Sequence, residues 1–135
     1  MGVALDAPSS QAEERYFCTG EKAVGFRLDG GDWKNSTFNT DGDRYVIERM
    51  PPRVELGGET FTWSVKRMGT RFNSFDCEDM GETRILCGGL GAGFVFNPMT
   101  LRYLEFYGIG YVDGDEPGNT PNITLGTCVL LEQTK

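Results

Sequence analysis

The sequence predicts an all-β fold, a small antiparallel β-barrel of eight to ten strands stapled by disulfides. Three observations support this prediction. The 135 residues include 19 glycines and 12% aromatic residues without a long helical pattern, a composition typical of short strands and tight turns. Turn signals recur at the spacing of roughly 8–12 residues that sandwiches and barrels show. Cysteines stand in the first and the last predicted strand, as suits a barrel whose closure removes the sheet edges.

Eight to ten short strands are predicted within a single domain at 14–135, which follows a polar, flexible arm at 1–13. Gly20-Glu21 is interpreted as a turn, and Asp29-Gly30-Gly31-Asp32 as a tight hairpin, because such residues accept positive φ. Pro51-Pro52 is expected to end a strand. In chain order the predicted strands span 14–19, 22–28, 31–38, 44–50, 59–67, 70–75, 83–87, 92–97, 100–112 and 122–131.

Two strands carry the clearest patterns. At 59–67, Phe61, Trp63 and Val65 alternate with polar residues, which predicts one face towards the core and one towards water. The aromatic run at 100–112 is the longest apolar segment, and it predicts a long, twisted, mostly buried strand around which the chain folds. Six aromatic residues either fill the core or line a ligand cavity: Phe61, Trp63, Phe94, Phe96, Tyr103 and Tyr107.

Four cysteines favour two disulfides over free thiols or a metal site, because no C-x-x-C spacing is present. Three pairings are possible. We prefer Cys18 with Cys128, which ties the first strand to the last, and Cys77 with Cys87, which closes a local loop. Two disulfides imply an oxidising compartment. The prediction is a secreted or periplasmic protein whose signal peptide is absent from this chain.

Charge and composition exclude several function classes. Thirteen basic and 20 acidic residues give a net charge of −7, which repels nucleic acid. The absence of histidine removes Ser-His-Asp and Cys-His catalysis and the common zinc sites. No apolar run approaches the roughly 20 residues that span a membrane. We expect a non-enzymatic protein without a cofactor.

Two acidic segments, at 76–82 and 113–121, are predicted to be solvated loops that bind a partner. The short Asp-Gly spacing of the second could offer oxygens to calcium, but it does not match the EF-hand pattern, so no metal is predicted. Asp and Gly dominate ordinary turns. The candidate binding residues are Asp76, Glu78, Asp79, Asp113, Asp115 and Glu116.

Glu105 is a further candidate because it lies within the aromatic run. A carboxylate on an inward face must be paired or have a shifted pKa, and such groups are often functional. Arg102, Arg84 and Arg71 are possible partners. A structural ion pair and an outward-facing position are the alternatives.

Four segments carry a resemblance: YFCTGEKAVGF, DRYVIERM, CGGLGAGFVFNPMTLRYLEFYGIGYVDGD and ITLGTC. Between Tyr16 and Cys128 the chain resembles a loose family of small, often secreted proteins from bacteria and their phages. The shared motifs are structural, and the resemblance implies no particular activity. In architecture alone, the predicted barrel is similar to periplasmic lysozyme inhibitors and lipocalin-like carriers, and fold does not determine function.

The function predicted from the sequence is that of a binding protein, acting as an inhibitor of a partner with a basic surface. An acidic face is suited to steering such a partner. A lipocalin-like carrier of a small apolar ligand is the first alternative. The second is a carboxylate-based enzyme acting on glycans.

Overall fold

The computed structural model describes residues 14–71, 74–89 and 91–131, and the predicted arm at 1–13 lies outside them. The all-β prediction is confirmed, because nine strands form one antiparallel sheet. The strands are β1 (Arg15–Asp29), β2 (Asp32–Phe38), β3 (Arg44–Val54), β4 (Thr60–Arg67), β5 (Phe75–Met80), β6 (Arg84–Gly89), β7 (Ala92–Asn97), β8 (Arg102–Tyr107) and β9 (Asn122–Leu130).

Eight of these strands close a barrel, because β1 pairs with β3 on one side and with β9 on the other. β2 pairs only with the second half of β1, so the β1–β2 hairpin is an arm that extends the barrel wall. We call the end with the β8–β9 connection the upper end, and the end with the β5–β6 turn the lower end. Across the described part of the chain, no helix has the length and apolar character needed to cross a membrane.

The turn predicted at Gly20-Glu21 is not found, because both residues lie within β1. The strand is continuous, and its register with β9 shifts between Gly20 and Lys22, so Glu21 is the extra residue of a β-bulge. The shift reverses which residues face inward: Tyr16 and Cys18 are buried before it, and Ala23 is buried after it. A one-residue change of register has this effect because side chains alternate between faces.

The hairpin predicted at Asp29-Gly30-Gly31-Asp32 is confirmed. Asp29 pairs with Asp32 across the turn, and Gly30 and Gly31 have φ of 62° and 86°. Both central residues of this turn therefore need positive φ, which glycine adopts without steric cost.

Pro51-Pro52 does not end a strand, contrary to prediction. β3 continues to Val54, and its register with β4 shifts between Arg49 and Arg53. β1 pairs with β3 only as far as Glu48. The prolines therefore lie in a bulge on a free edge, where a missing N–H costs no hydrogen bond to a second strand.

The predicted long strand at 100–112 is also shorter than expected. β8 ends at Tyr107, and a 3₁₀-helix follows at Ile109–Asp113. The β8–β9 connection then folds back so closely that a Cβ on Gly110 would lie 2.3 Å from the side chain of Asn119. A glycine is required at this approach, because a side chain at position 110 would collide with Asn119.

The prediction for residues 70–82 is wrong in two ways. Residues 70, 71 and 74 lie outside the strands, and 72–73 lie outside the described residues. The predicted acidic loop at 76–82 is mostly strand, because Asp76, Glu78 and Asp79 belong to β5. Cys77 pairs in register with Cys87 of β6, and this pairing draws the acidic residues into the barrel wall.

The preferred disulfide pairing agrees with the structure: Cys18 bonds to Cys128, and Cys77 to Cys87. Each pair joins residues directly opposed on neighbouring strands. All four sulfurs belong to the buried core, together with the residues Tyr16, Tyr45, Ile47, Trp63, Val65, Ile85, Phe94, Phe96 and Tyr103.

Candidate functional site

The barrel interior is filled by its own aromatic side chains. Phe94 and Tyr103 stack with ring centroids 4.6 Å apart, and Tyr45 meets the Phe94 ring edge-on at 5.4 Å. Trp63 and Phe96 are also buried, whereas Phe61 and Tyr107 of the predicted cavity set are half-buried. Trp63, Phe94, Phe96 and Tyr103 therefore pack as core, as side chains in small barrels usually do.

A polar network caps the interior at the upper end. The hydroxyl of Tyr45 donates to Oε1 of Glu105 at 2.8 Å. Arg67 donates to the Tyr45 oxygen at 3.3 Å and to Oδ1 of Asp43 at 3.3 Å. The hydroxyl of Tyr103 is buried without a hydrogen-bond partner among the described residues.

Burial raises the pKa of Glu105, and Asp43 adds to the rise, while the hydrogen bond from Tyr45 and the charge of Arg67 oppose it. Burial also raises the pKa of Tyr45 and of Tyr103, and the Glu105 carboxylate reinforces both shifts. Glu105 faces inward, and its neighbours there are Tyr45, Arg67 and Asp43. The predicted partner Arg102 lies three residues from Glu105 along β8. Because this spacing is odd, the two side chains lie on opposite faces of the strand.

A second polar cap closes the lower end. Nε1 of Trp63 donates to Oδ1 of Asp79 at 3.0 Å, and the guanidinium of Arg49 lies 4.3 Å from the Trp63 ring centroid. Tyr16 donates to Glu14 at 2.8 Å. Burial and then this hydrogen bond raise the pKa of Tyr16 to about 12. Both caps hold core aromatics in place.

The predicted acidic sites do not come together. β5 runs down to the lower end, with Asp76 bonded to Arg53 at 2.7 Å and Asp79 bonded to Trp63. The second set lies in the β8–β9 connection at the upper end, where Asp115 accepts from Nε1 of Trp33 at 3.0 Å. The two segments are therefore on opposite ends of the barrel. The side chain of Glu78 is half-buried, and those of Asp113 and Glu116 are exposed.

A large recess lies on the outer face of the barrel. Phe106 of β8 pairs with Ile123 of β9, Ile123 with Val24 of β1, and Val24 with Thr37 of β2. These side chains form one row across four strands. The groove has a volume of about 860 Å³, and the residues lining it are Val24, Gly25, Phe26, Asn35, Ser36, Thr37, Phe106, Tyr107, Pro121, Asn122 and Ile123.

The hairpin arm and the β8–β9 connection extend the groove upward. The Trp33 ring meets Tyr111 edge-on at 5.3 Å, and its Nε1 bonds to Asp115. A smaller recess of about 310 Å³ lies between Phe26, Trp33, Tyr111 and Pro121. Asp115 therefore acts in this structure as an anchor that ties the arm to the connection.

The outward apolar side chains make this face unusual. The exposed fraction is 53% for Val24, 47% for Phe26, 46% for Ile123 and 49% for Leu125. Contiguous exposed apolar patches on a folded protein often mark interaction sites. The sequence does show that Val24 shares a face with Phe26 and Ile123 with Leu125, but it does not show that these faces point outward. The missed signal is that β1 and β9 carry apolar residues at both alternating sets of positions.

The fold and the groove define a closed eight-stranded antiparallel β-barrel with a filled interior and an apolar recess on its outside. Within the ranges described, no three Cys, Asp or Glu side chains cluster in a way that could hold a metal ion. Comparison with protein-family models, curated proteins and solved structures finds no match to this chain. The resemblance to the small bacterial and phage proteins therefore stays a prediction.

Proposed function

We propose that this protein is a non-enzymatic binding protein that acts outside the reducing cytoplasm and takes an apolar ligand in its outer groove. The observation that carries the proposal is the groove itself, a recess of about 860 Å³ floored by Val24, Ile123 and Phe106. Ligand sites typically have volumes of about 300–1,000 Å³ and apolar walls with a few polar groups. The two disulfides support an oxidising location.

The groove also offers polar groups that could orient a ligand. Asn35 and Thr37 stand opposite Phe26 and Val24 on the arm, and Asn122 and Tyr107 line the other side. The apolar floor would supply affinity through burial, at about 25 cal/mol per Å² of apolar surface removed from water. The polar rim would supply orientation.

The other predicted functions have less support. A lipocalin-like carrier needs an interior cavity, whereas Trp63, Phe94 and Tyr103 occupy the interior. Protein capture by one acidic face needs the two acidic segments to lie together, whereas they lie at opposite ends of the barrel. Asp79 and Asp115 also accept hydrogen bonds from tryptophans. A glycan-active enzyme needs two carboxyl groups flanking an accessible bond, whereas Glu105 is half-buried on the inner face and accepts a hydrogen bond from Tyr45.

The proposal is tested with N-phenyl-1-naphthylamine, a neutral apolar dye that fluoresces when it leaves water. We expect the native protein to bind one dye molecule. Ile123→Lys should weaken dye binding at least tenfold, because it places a charge on the groove floor. The fold should survive, since Ile123 is half-exposed on an outer face.

The matched control is Leu56→Lys, which adds the same charge at a fully exposed position in the β3–β4 connection. This variant should bind the dye as the unmodified protein does. Equal dye affinity in Ile123→Lys and the unmodified protein, with native circular dichroism in both, would contradict the groove as the site.

A further inference from the structure

The apolar face continues below the groove into a second recess of about 460 Å³. Its apolar lining is Val95, Leu104 and Leu125. Leu104 pairs with both Val95 and Leu125, so the three side chains form a row across β7, β8 and β9. Two arginines, Arg84 and Arg102, also line this recess.

The two recesses are consecutive along the same strands. Leu104 and Phe106 are two residues apart on β8, and Leu125 and Ile123 are two residues apart on β9. Residues two apart share a face and lie about 7 Å from each other. The recesses therefore lie next to each other on one outer face. Together we call them the trough, with arginines at its lower end and the β1–β2 hairpin arm at its upper end.

The trough is long enough for a lipid chain. Thr127 is the strand partner of Arg102, and Pro121 lies six residues earlier at the upper end. Six residues of strand span about 20 Å. A single lipid chain occupies half of a bilayer's hydrocarbon core, or about 15 Å. The apolar part of the trough thus accommodates one such chain lying along β8 and β9.

The lower end of the trough carries two positive charges in a chain whose net charge is −7. Among residues 14–71, 74–89 and 91–131, neither Arg84 nor Arg102 has a carboxylate within 4.0 Å. Glu21 lines the same recess, and its Oε2 accepts a hydrogen bond from Thr127 at 2.8 Å. Lys22 is the strand partner of Leu125 and adds a positive charge to the same outer face.

We infer that the trough binds a single-chain anionic amphiphile of the long-chain carboxylate class. Its carboxylate lies between Arg84 and Arg102, and its chain runs over Leu104 and Phe106 towards Val24. Guanidinium groups bind carboxylates through paired, charge-assisted hydrogen bonds. The inference rests on the proposed function, because the outer groove is the upper half of this trough.

The test compares three ligands with the same twelve-carbon chain and different heads: dodecanoate, dodecanol and dodecyltrimethylammonium. Each is titrated as a monomer below its aggregation limit, with competition for the bound dye as the readout. We expect dodecanoate to bind at a ratio of one to one, at least ten times more tightly than dodecanol. Dodecyltrimethylammonium should bind no better than dodecanol.

The head-group contact is tested by the double variant Arg84→Gln and Arg102→Gln. Its dodecanoate affinity should fall at least tenfold, to that of dodecanol, while dodecanol binding stays unchanged. The control is Arg27→Gln with Lys34→Gln, which removes the same charge from exposed positions on the arm. This control should bind dodecanoate as the unmodified protein does.

The possible failures are distinguishable. Equal binding of dodecanoate and dodecanol, unchanged in the double arginine variant, would overturn the carboxylate inference and leave the apolar groove in place. Failure of all three ligands and of the dye to bind would overturn both proposals. Capture of the protein by phosphatidylglycerol vesicles, without binding of monomeric dodecanoate, would also overturn the inference.

Discussion

The inner wall and the outer face of β1, β8 and β9 are both rich in apolar residues, yet they differ in what covers them. Inside, Tyr103 and Cys128 are buried against the residues of the opposite wall. Outside, on the same strands, Val24 and Ile123 are half-exposed in an open groove. Apolar character alone therefore does not identify the face of a strand that belongs to the core. The inner face is fully covered by the opposite wall and stabilises the core, whereas about half of each outer side chain stays exposed to solvent.

The inner wall is also where the covalent constraints lie. Both disulfides are buried and join strands that are neighbours in the wall. Their sequence separations are 110 and 10 residues. The first closes nearly the whole barrel, and the second reinforces one β-ladder.

The largest expected effect comes from removing these constraints. We expect Cys18→Ala with Cys128→Ala to lower the free energy of unfolding by about 4–5 kcal/mol, and Cys77→Ala with Cys87→Ala by slightly under about 3 kcal/mol, because a longer loop restricts the unfolded chain more. Equilibrium unfolding in urea measures both. A smaller loss for the 18–128 pair than for the 77–87 pair would show that loop length does not control their contributions.

A pair of substitutions compares the two faces directly. Phe94→Ala should lower the free energy of unfolding by about 3–5 kcal/mol, because it opens a cavity beside Tyr103 in the core. Ile123→Thr should change it by less than about 0.5 kcal/mol, because the position is half-exposed and threonine suits a strand. The same urea titrations measure both variants. Similar losses in the two variants would mean that the outer face is covered and contributes to the core.

The smallest expected effect is the pH dependence at Glu105. Its pKa is raised in the folded protein, so the folded state retains this proton when the unfolded state has lost it. The stabilisation is complete below the ordinary glutamate pKa and is lost as the pH rises through the raised pKa. The free energy of unfolding of the unmodified protein, compared with that of Glu105→Gln, should therefore fall when the pH rises from about 4 to about 8.

Urea unfolding of both proteins at the two pH values tests this expectation. Glu116→Gln is the control, because Glu116 is exposed and its substitution should not change the pH dependence. A difference between the unmodified protein and Glu105→Gln that is the same at both pH values would contradict a raised pKa at Glu105.

Much of the fold could be predicted from local patterns. The alternation of Trp63 and Val65 with polar residues identified an inward face, and the Asp-Gly-Gly-Asp hairpin identified a turn. The cysteine pairing followed from joining the first strand to the last. Each of these signals depends on neighbouring residues or on chain closure, and the structure agrees with all three.

The candidate site could not be predicted in the same way. The acidic segment at 76–82 has the composition of a loop, but the pairing of Cys77 with Cys87 makes it part of β5. Gly20-Glu21 has the composition of a turn, but pairing with β9 on both sides keeps β1 continuous. In both cases, hydrogen bonds to paired strands overrode the local preference.

The class of this protein, an all-β antiparallel barrel with two disulfides, could be predicted from the sequence. The reason is that apolar residues alternate with the two-residue period of a strand, and cysteines in the first and last strands indicate that the barrel closes. The position of the groove, in contrast, depends on tertiary structure. Without the bulge at Glu21, Val24 and Phe26 would continue the inward set of Tyr16 and Cys18. The single extra residue turns them outward, because a strand's faces exchange whenever its register shifts by one.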